Sequence, residues 1–425
     1  MLSRQDNERL TRTCAGTPMG ELFRRFWLPA LLSRELAGPD YPPVRVRLLG
    51  EDLVAFRDTA GRIGVLDEHC PHRRASLFFG RNEECGLRCV YHGWKFDVDG
   101  ACVELPSEPP HSNFRAKVRA KAYPAREAGG LVWVYMGPRE QIPELPGFEF
   151  AQLAEDRRYA SRWMQVCNYA QAMEGDLDSS HVGFLHRRIG ELHEDKKALT
   201  GAYFQDDTWP RWSIRLTDYG MMAGASRSVD GDKTYLRVNQ FLLPCYTMIA
   251  PVPGSYYTWR AWVPCDDTHC AVIAVTYCTD RPASEDEQRQ WRRGEAGHRR
   301  VIPGTIHPVA HRDNDYLIDR ELQRTVSYTG IDGIRAQDAA MVESQDPIAD
   351  RSRERLGSSD TAIINMRKRL LQAALALEQG EVPTAAGDGT RYAVRPYSVV
   401  LNETGEVDLE NYARVAAAGS KDAGP

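Results

Sequence analysis

Two short segments of this sequence each carry one cysteine and one histidine within a few residues. The first segment is Cys70-Pro-His72, and the second is Cys89-Val-Tyr-His92. Thiolates and imidazoles are side chains that bind transition metals in proteins. A metal centre held by both segments would fix two loops against each other, so these four side chains constrain the fold strongly.

The ligand set matches a Rieske 2Fe-2S centre, in which two histidines replace two cysteines on one iron. A structural zinc site would also accept two thiolates and two imidazoles. Zinc knuckles usually pair Cys with Cys and His with His, whereas each segment here mixes the two types. A mixed pair suits a diiron cluster, because each segment can give its Cys to one iron and its His to the other. The pattern therefore favours an electron-transfer centre.

The composition is that of a globular protein without affinity for polyanions. Lysine and arginine number 54 against 59 aspartates and glutamates, and the net charge is -5, so we expect no nucleic-acid partner. No stretch approaches the roughly 18 apolar residues of a membrane span, and the polar start MLSRQDNERLTR is not typical of a secretory signal. Ten cysteines in such a chain indicate free thiols rather than disulfides. We expect a cytoplasmic protein with no membrane partner.

A chain of 425 residues exceeds one typical hydrophobic core and predicts at least two domains. Alternation over residues 44–66 and the segment GLVWVYMG predict antiparallel strands on either side of the cysteine and histidine segments. The predicted division has four parts. Residues 1–40 form an N-terminal segment that packs on the catalytic domain, and residues 41–148 form an all-β Rieske domain. Residues 149–400 form the catalytic domain, and residues 401–425 form a partly disordered tail.

The second half of the chain combines strands and helices. Residues 159–190 lack proline and have few β-branched residues, which favours helix. Residues 199–280 again show strand patterns separated by turn residues. Ser359 and Asp360 offer an N-cap for a long amphipathic helix that ends at Gly380. An antiparallel sheet with helices gathered on one side gives an α+β fold class.

A second constellation lies in the predicted helical stretch, where His181 and His186 follow Asp178, with a candidate carboxylate much later at Asp338. Two histidines and one carboxylate bind the non-haem Fe(II) of oxygenases and leave open positions. The spacing does not suit a regular helix, because residues five apart differ by about 140° around the axis. We expect a break or bulge at Gly183. The alternative is that both histidines are hydrogen-bonded polar groups at a helix end.

Four stretches, EHCPHRRASL, GLRCVYHGWKFDVDG, EGDLDSSHVGFLH and RAQDAAMVESQ, resemble the large subunits of Rieske ring-hydroxylating oxygenases, most closely the phthalate dioxygenase-like branch. The resemblance implies a catalytic domain of the helix-grip type. It also implies one Rieske 2Fe-2S cluster on Cys70, His72, Cys89 and His92, and one mononuclear non-haem Fe(II) on His181, His186 and Asp338. Glu343, Asp346 and Asp332 lie close in sequence and leave the carboxylate ligand open.

In this family an acidic residue hydrogen-bonds the first iron-ligating histidine and, across a subunit boundary, a cluster-ligating histidine. The resemblance gives these roles to Asp178 and His92. Asp178 precedes His181 by three residues, a spacing that would place both on one helical face. An exposed helix carboxylate is the alternative for Asp178. The bridge implies a homotrimer or a multiple of it.

The resemblance implies a terminal oxygenase component that uses dioxygen and electrons from NAD(P)H. Its partner is a reductase with flavin and an iron-sulfur centre, with or without an intermediate ferredoxin. The expected reaction is hydroxylation or cis-dihydroxylation of an aromatic carboxylate, with mono-oxygenating O- or N-dealkylation as the first alternative. A Rieske electron carrier without catalysis is a remoter alternative.

An anionic substrate would need a cation in an otherwise apolar pocket. Arg215, Arg227 and Arg237 lie in predicted strands of the catalytic domain and are candidates for that cation. Each of them could instead be an outward-facing strand charge.

Overall fold

The computed structural model of the protein describes residues 2–189, 203–204, 207–229, 231, 233–252, 254–402 and 409. The chain begins with helices α1 (Arg4–Thr11) and α2 (Pro18–Arg24), each capped at its start by a side chain, Ser3 and Thr17 respectively. Helix α2 packs on a long helix near the end of the chain. The N-terminal residues are thereby tied to the second half of the protein.

Three small antiparallel sheets follow. Their strands are β1 (Trp27–Leu32), β2 (Val44–Leu48), β3 (Glu51–Arg57), β4 (Ile63–Asp67), β5 (Arg81–Glu83), β6 (Gly86–Arg88), β7 (Lys95–Phe96), β8 (Cys102–Glu104), β9 (Ala122–Tyr123), β10 (Ala125–Ala128) and β11 (Leu131–Tyr135). The strand orders are β2-β3-β4-β9, β5-β6-β7-β8 and β1-β11-β10. The strands predicted over 44–66 and in GLVWVYMG are confirmed, and so is an all-β first region.

Strand β11 is buried along its whole length and joins the first region to the second. Trp133 from this strand packs against Trp259, with ring centroids 6.0 Å apart, and Phe148 packs on the same ring at 5.0 Å. Buried aromatic area of this kind stabilises an interface strongly. The two regions share one hydrophobic core here, and the boundaries at 41, 148 and 400 stay predictions.

An eight-stranded antiparallel sheet forms the second region, in the order β12-β18-β17-β16-β15-β14-β13, with β19 paired to β15. The strands are β12 (Arg158–Gln165), β13 (Arg211–Thr217), β14 (Gly220–Val229), β15 (Lys233–Leu242), β16 (Tyr246–Ile249), β17 (Tyr257–Asp266), β18 (His269–Tyr277) and β19 (Tyr397–Leu401). The helix prediction is wrong for residues 159–165, which pair with β18 along their full length. Sheet pairing there outweighs local helix propensity.

The helices of this region are α3 (Tyr169–Leu177), α4 (Val182–Leu185), α5 (Glu285–Arg292), α6 (Arg320–Thr325), α7 (Ile334–Glu343), α8 (Thr361–Glu378) and α9 (Thr384–Gly387). Helix α3 packs on β16 and β17, and α8 packs on β13 and β14. Asp360 is the N-cap of α8, but its carboxylate accepts from Gly357 N rather than from the helix. The α+β fold class is confirmed.

All ten cysteines lie within the described residues, and each is a free thiol. Eight are buried, and Cys14 and Cys85 are partly exposed. The predicted absence of a disulfide framework is confirmed for this set. No helix of the described residues is both long and apolar enough to cross a bilayer.

Candidate metal centres

The first candidate centre is built from two tight turns, which we call the cluster loops (residues 68–76 and 89–94). The first follows β4, and the second connects β6 to β7. In the first loop Cys70 N donates to Ala75 O at 2.9 Å, and in the second Cys89 N donates to Trp94 O at 2.8 Å. Gly93 has a φ of 77°, a conformation that favours glycine. Each loop is therefore closed by a backbone hydrogen bond at its cysteine.

The four predicted cluster ligands lie in these two loops, with the two cysteines beside each other and the two histidines beside each other. The Cys70 and Cys89 side chains are buried, whereas His72 and His92 are partly exposed. The two imidazole rings lie 4.5 Å apart, and Trp94 stacks on His72 at 4.2 Å. Burial and the neighbouring Cys89 raise the pKa of Cys70 to about 11. Two thiols and two imidazoles in this arrangement are the donor set of a Rieske cluster.

One buried donor atom of this group lacks a partner. Nδ1 of His92 is inaccessible to solvent and has no hydrogen bond to any described residue. An unpaired buried nitrogen costs free energy unless a ligand or metal satisfies it. The four residues therefore fit a bound cluster.

The second candidate centre lies at the single-turn helix α4. His181 is its N-cap and His186 its C-cap, and the two rings lie 5.0 Å apart. The predicted break at Gly183 is wrong, because this residue lies inside α4. A side chain there would collide with the carbonyl oxygen of Phe204. The two histidines meet because α4 has only four residues and each histidine flanks one end.

Helix α7 brings the third donor, Asp338. Its Oδ1 lies 3.5 Å from Nε2 of His181 and 3.1 Å from Nε2 of His186. The three ligand atoms all lie within 4.8 Å of one another. Oδ2 of Asp338 is turned away from the imidazoles and lies 3.1 Å from Nη1 of Arg335. Two imidazoles and one carboxylate whose Oδ1 faces both rings fit a metal ion such as Fe(II).

The neighbouring carboxylates that the sequence left open do not converge on this point. Asp332 and Asp346 are exposed. Glu343 is buried but occupied, since Oε2 accepts a hydrogen bond of 2.6 Å from the Tyr316 hydroxyl. The geometry therefore brings Asp338 alone of these four to the histidine pair.

The charged groups around His181 and Asp338 shift the pKa values of both residues. Burial on its own would lower the pKa of His181, but the carboxylates of Asp178 and Asp338 outweigh that effect and raise it to about 10. The pKa of Asp338 is well below its usual range, because Arg335 and both imidazoles outweigh its burial. A metal cation would take the place of the proton that these groups hold.

Asp178 contacts His181, but not through a shared helical face. It is the C-cap of α3 with extended backbone, and its Oδ1 accepts from Ser180 N at 2.7 Å. Oδ2 lies 3.4 Å from Nδ1 of His181. The expected contact is present, and the expected reason is wrong, since an Asx-type turn rather than a helix brings the two side chains together.

Gln337 is a site residue that the sequence did not reveal. Its Nε2 donates to Ile331 O at 2.8 Å, which turns Oε1 towards Nδ1 of His186 at 2.7 Å. Nδ1 therefore carries the proton and donates to the amide oxygen, and Nε2 faces Asp338. The sequence carries no signal for this contact, because adjacent helical residues point in different directions and the partner of Gln337 is set by the fold.

The three arginines of the predicted strands occupy different environments. Strand register places Arg227 and Arg237 on the sheet face that α3 covers, where Asn239 donates to Asp176 O at 3.1 Å. Arg215 pairs with Met222 and points to the opposite face. The structure thus separates Arg215 from the other two.

Arg227 and Arg237 also differ in their partners. Arg227 donates to the carbonyl of Ser179 at 2.7 Å and to Asp207 O at 2.9 Å, so it holds the turn between Asp178 and His181. Arg237 donates to Ala250 O at 2.9 Å, and its buried Nε has no partner among the described residues.

Comparison with known proteins finds two families that together match most of the chain. The family described as the Rieske [2Fe-2S] domain matches residues 26–124, and the family described as LigXa C-terminal domain like matches residues 134–418. The phthalate 4,5-dioxygenase oxygenase subunit of Pseudomonas putida is 40% identical over 91% of this chain and 90% of its own length. The chain belongs to the Rieske non-haem iron oxygenases.

Other Rieske oxygenases support the same placement. The 3-chlorobenzoate-3,4-dioxygenase oxygenase subunit of Comamonas testosteroni is 39% identical over 91% of this chain and 92% of its own length. The solved structure of the Pseudomonas putida CBB5 NdmA QL mutant with theobromine has a TM-score of 0.58 at 20% identity. It covers 87% of this chain and 96% of that one, and it shows the shared fold.

This Rieske oxygenase therefore carries a 2Fe-2S cluster and a mononuclear non-haem iron. It is the oxygenase component of a multicomponent system and receives its electrons from protein partners. The alternative that the protein is an electron carrier without catalytic activity is therefore wrong.

Proposed function

We propose that this oxygenase holds its cluster on Cys70, His72, Cys89 and His92, holds its iron on His181, His186 and Asp338, and oxidises an aromatic carboxylate. The observation that carries the iron assignment is the convergence of three donor atoms within 4.8 Å. Fe(II) on two imidazoles and one carboxylate keeps open positions at which dioxygen is activated. Gln337 and Asp178 hold the histidine rings so that both Nε2 atoms face Asp338.

The substrate class rests on two observations. The relatives named above act, by their names, on phthalate and on 3-chlorobenzoate, which are aromatic carboxylates. Arg237 offers a buried guanidinium with an unpaired Nε on the sheet face towards α3, and its charge lies 4.9 Å from the Phe204 ring. A cation beside an aromatic ring is the chemistry that binds an aromatic acid. Arg227 supports the Ser179 turn instead.

This substrate assignment is tested with Arg237→Met. Loss of one charged hydrogen bond should raise the KM for a benzoate-type acid about 10- to 100-fold, with kcat changed less. The KM for the matching uncharged aromatic amide should stay the same. Arg237→Lys should recover part of the affinity. An equal KM for the acid in the Met variant and the unaltered enzyme would remove Arg237 from the substrate site.

Asp178 is proposed to carry electrons between neighbouring subunits. Its carboxylate holds His181 and is still about a quarter exposed, so a second imidazole can reach it. His92 of a neighbouring chain is the proposed partner, because His92 is partly exposed at the tip of its loop. This arrangement requires a closed ring, and we propose a homotrimer or a multiple of it, checked by its mass against the 47.9 kDa of one chain.

The proposed electron donor is a reductase that carries flavin and an iron-sulfur centre and oxidises NAD(P)H, acting directly or through a ferredoxin. A cytoplasmic location is proposed as well, consistent with ten cysteines that form no disulfide. Reconstitution with either type of donor tests this assignment through the rate of cluster reduction.

The reaction itself is decided with isotopically labelled dioxygen. An aromatic acid, two electrons, two protons and O2 give a cis-dihydrodiol that contains both labelled atoms. Mono-oxygenation or dealkylation places one labelled atom in the organic product and the other in water. We expect two labelled atoms in the product, and one labelled atom would assign the mono-oxygenating reaction.

A further inference from the structure

A buried arginine lies between the iron-binding carboxylate and a second carboxylate. Arg335 lies in the first turn of α7, three residues before Asp338. Its Nη1 donates to Oδ1 of Asp176 at 2.9 Å and lies 3.1 Å from Oδ2 of Asp338. One nitrogen thus contacts both carboxylates, on the side of Asp338 away from the histidines.

The second carboxylate, Asp176, is held in place from several directions. It is 2% exposed, and its Oδ2 accepts from Thr247 Oγ1 at 2.7 Å and from Arg260 Nη1 at 2.9 Å. Both of its oxygens are therefore occupied by donors. Asp176 cannot turn towards a metal without breaking these bonds, and it serves as a fixed anchor for Arg335.

The charges of this buried group balance. Asp176 and Asp338 contribute two negative charges, and Arg260 and Arg335 contribute two positive charges. A balanced, hydrogen-bonded set lowers the cost of burying each charge. Removal of one guanidinium would leave a carboxylate without its counter-charge and free to change its orientation.

We infer that Arg335, anchored by Asp176, is a positioning residue that holds Oδ2 of Asp338 and presents only Oδ1 to the metal. This inference rests on the proposed assignment of Asp338 as an iron ligand. With Oδ2 paired to Arg335, Oδ1 would be the carboxylate oxygen that holds the metal. Outer partners of this kind orient a metal ligand and are commonly worth about 10- to 100-fold in metal affinity.

The test is the Fe(II) affinity of Arg335→Gln, measured anaerobically by competition with a chelator on protein that keeps its cluster. We expect a fall of about 10- to 100-fold and a changed electron paramagnetic resonance spectrum of the Fe(II)–nitric oxide adduct. The control is Arg351→Gln, which removes a fully buried guanidinium that pairs with Glu174 instead. Its Fe(II) affinity and spectrum should equal those of the unaltered protein.

Arg335→Lys returns a positive donor and should recover part of the affinity. If the Gln variant does not fold, Arg335→Lys is compared with Arg351→Lys, and a fall in affinity confined to the first supports the inference. Equal affinities and spectra in the Arg335 variants and the unaltered protein would overturn it, and so would an equal loss in the Arg351 control. Asp338→Ala separates the two claims, since iron binding that survives this change refutes the ligand set instead.

Discussion

The two proposed metal centres of this oxygenase are built in contrasting ways. The cluster loops belong to one short stretch of chain and stand on an apolar core that includes Phe96 and Leu87. The iron centre combines α4 with α7, and its supporting contact between His186 and Gln337 joins residues 151 positions apart. Ion pairs lie next to its proposed ligands, among them Arg335 with Asp176.

This contrast fits what each centre has to do. A cluster that exchanges electrons with other proteins benefits from histidines near the surface, and His72 and His92 are partly exposed. An iron that must keep open positions needs ligands that cannot rearrange. Arg335 restricts Asp338, Asp178 restricts His181, and Gln337 restricts His186. The cluster is therefore supported by local backbone geometry, and the iron by long-range side-chain contacts.

The largest expected effect breaks one centre and spares the other. His181→Ala should abolish binding of the mononuclear iron and all oxygen-dependent turnover, because one of three protein ligands is lost. Its cluster absorption in the visible range should be unchanged. Cys89→Ser should do the reverse, losing the cluster while keeping Fe(II). Loss of both metals in either variant would show that the centres are not independent.

The next effect concerns the buried charges around Glu174. Glu174 is buried and accepts hydrogen bonds from Arg351 and Arg367, both at 3.0 Å or less. Glu174→Gln should lower the free energy of unfolding by about 3–5 kcal/mol, measured by chemical denaturation. The change is isosteric, so a loss below about 1 kcal/mol would show that these charges do not support the fold.

The ion pairs of Glu174 also predict how the stability of the protein depends on pH. Although burial opposes it, the two arginines lower the pKa of Glu174 below its usual value. A carboxylate with a lowered folded pKa stabilises the protein above its unfolded pKa, and that contribution is lost as the pH falls through the folded value. The free energy of unfolding of the unaltered protein should therefore fall as the pH is lowered through this range. Glu174→Gln should show a weaker dependence.

A smaller effect is expected at the link between the centres. Asp178→Asn should leave both metals bound and slow electron transfer from the reduced cluster about 10- to 100-fold, because the amide donates where the carboxylate accepts. Single-turnover kinetics measure this rate directly. Asp332→Asn, at an exposed position of the same region, is the control. An unchanged transfer rate in the Asp178 variant would remove it from the electron path.

The smallest effect is expected at Gln337. Gln337→Leu removes the oxygen that fixes the ring of His186, and Fe(II) affinity should fall about tenfold with the cluster unaffected. Gln345→Leu alters an exposed glutamine close to the same helix and should have no effect. Calorimetric titration with Fe(II) under anaerobic conditions compares the two variants. Equal affinities would show that ring orientation at His186 is set by packing alone.

The contrast between the two centres also explains which of their residues could be predicted from the sequence. Cys70, His72, Cys89 and His92 are recognisable because the ligands of the cluster lie in two short segments whose spacing is fixed by tight turns. His181, His186 and Asp338 could be proposed only through the resemblance to a family, since their spacing suits no regular helix. Arg335 and Gln337 were missed, although both lie within one turn of Asp338, because a helical spacing does not reveal which tertiary partner a side chain meets.

The fold could likewise be predicted only in part from the sequence. Alternating residues predict the strands of both regions, and Asp360 predicts the start of α8. Residues 159–165 were mistaken for helix, because their central β-strand partner, β18, lies more than a hundred residues later. The turn at Asp178 was also mistaken for helix, since an Asx-type turn depends on one side chain rather than on a periodic pattern.

The most direct test of the two-centre account is the content of iron and acid-labile sulfide in anaerobically purified protein, measured with its visible spectrum. One diiron cluster and one mononuclear site predict about three irons and about two sulfides per chain, and His181→Ala should retain about two of each. Two irons that do not increase when Fe(II) is added would contradict the iron centre proposed on His181, His186 and Asp338. Zinc without sulfide would contradict the cluster as well.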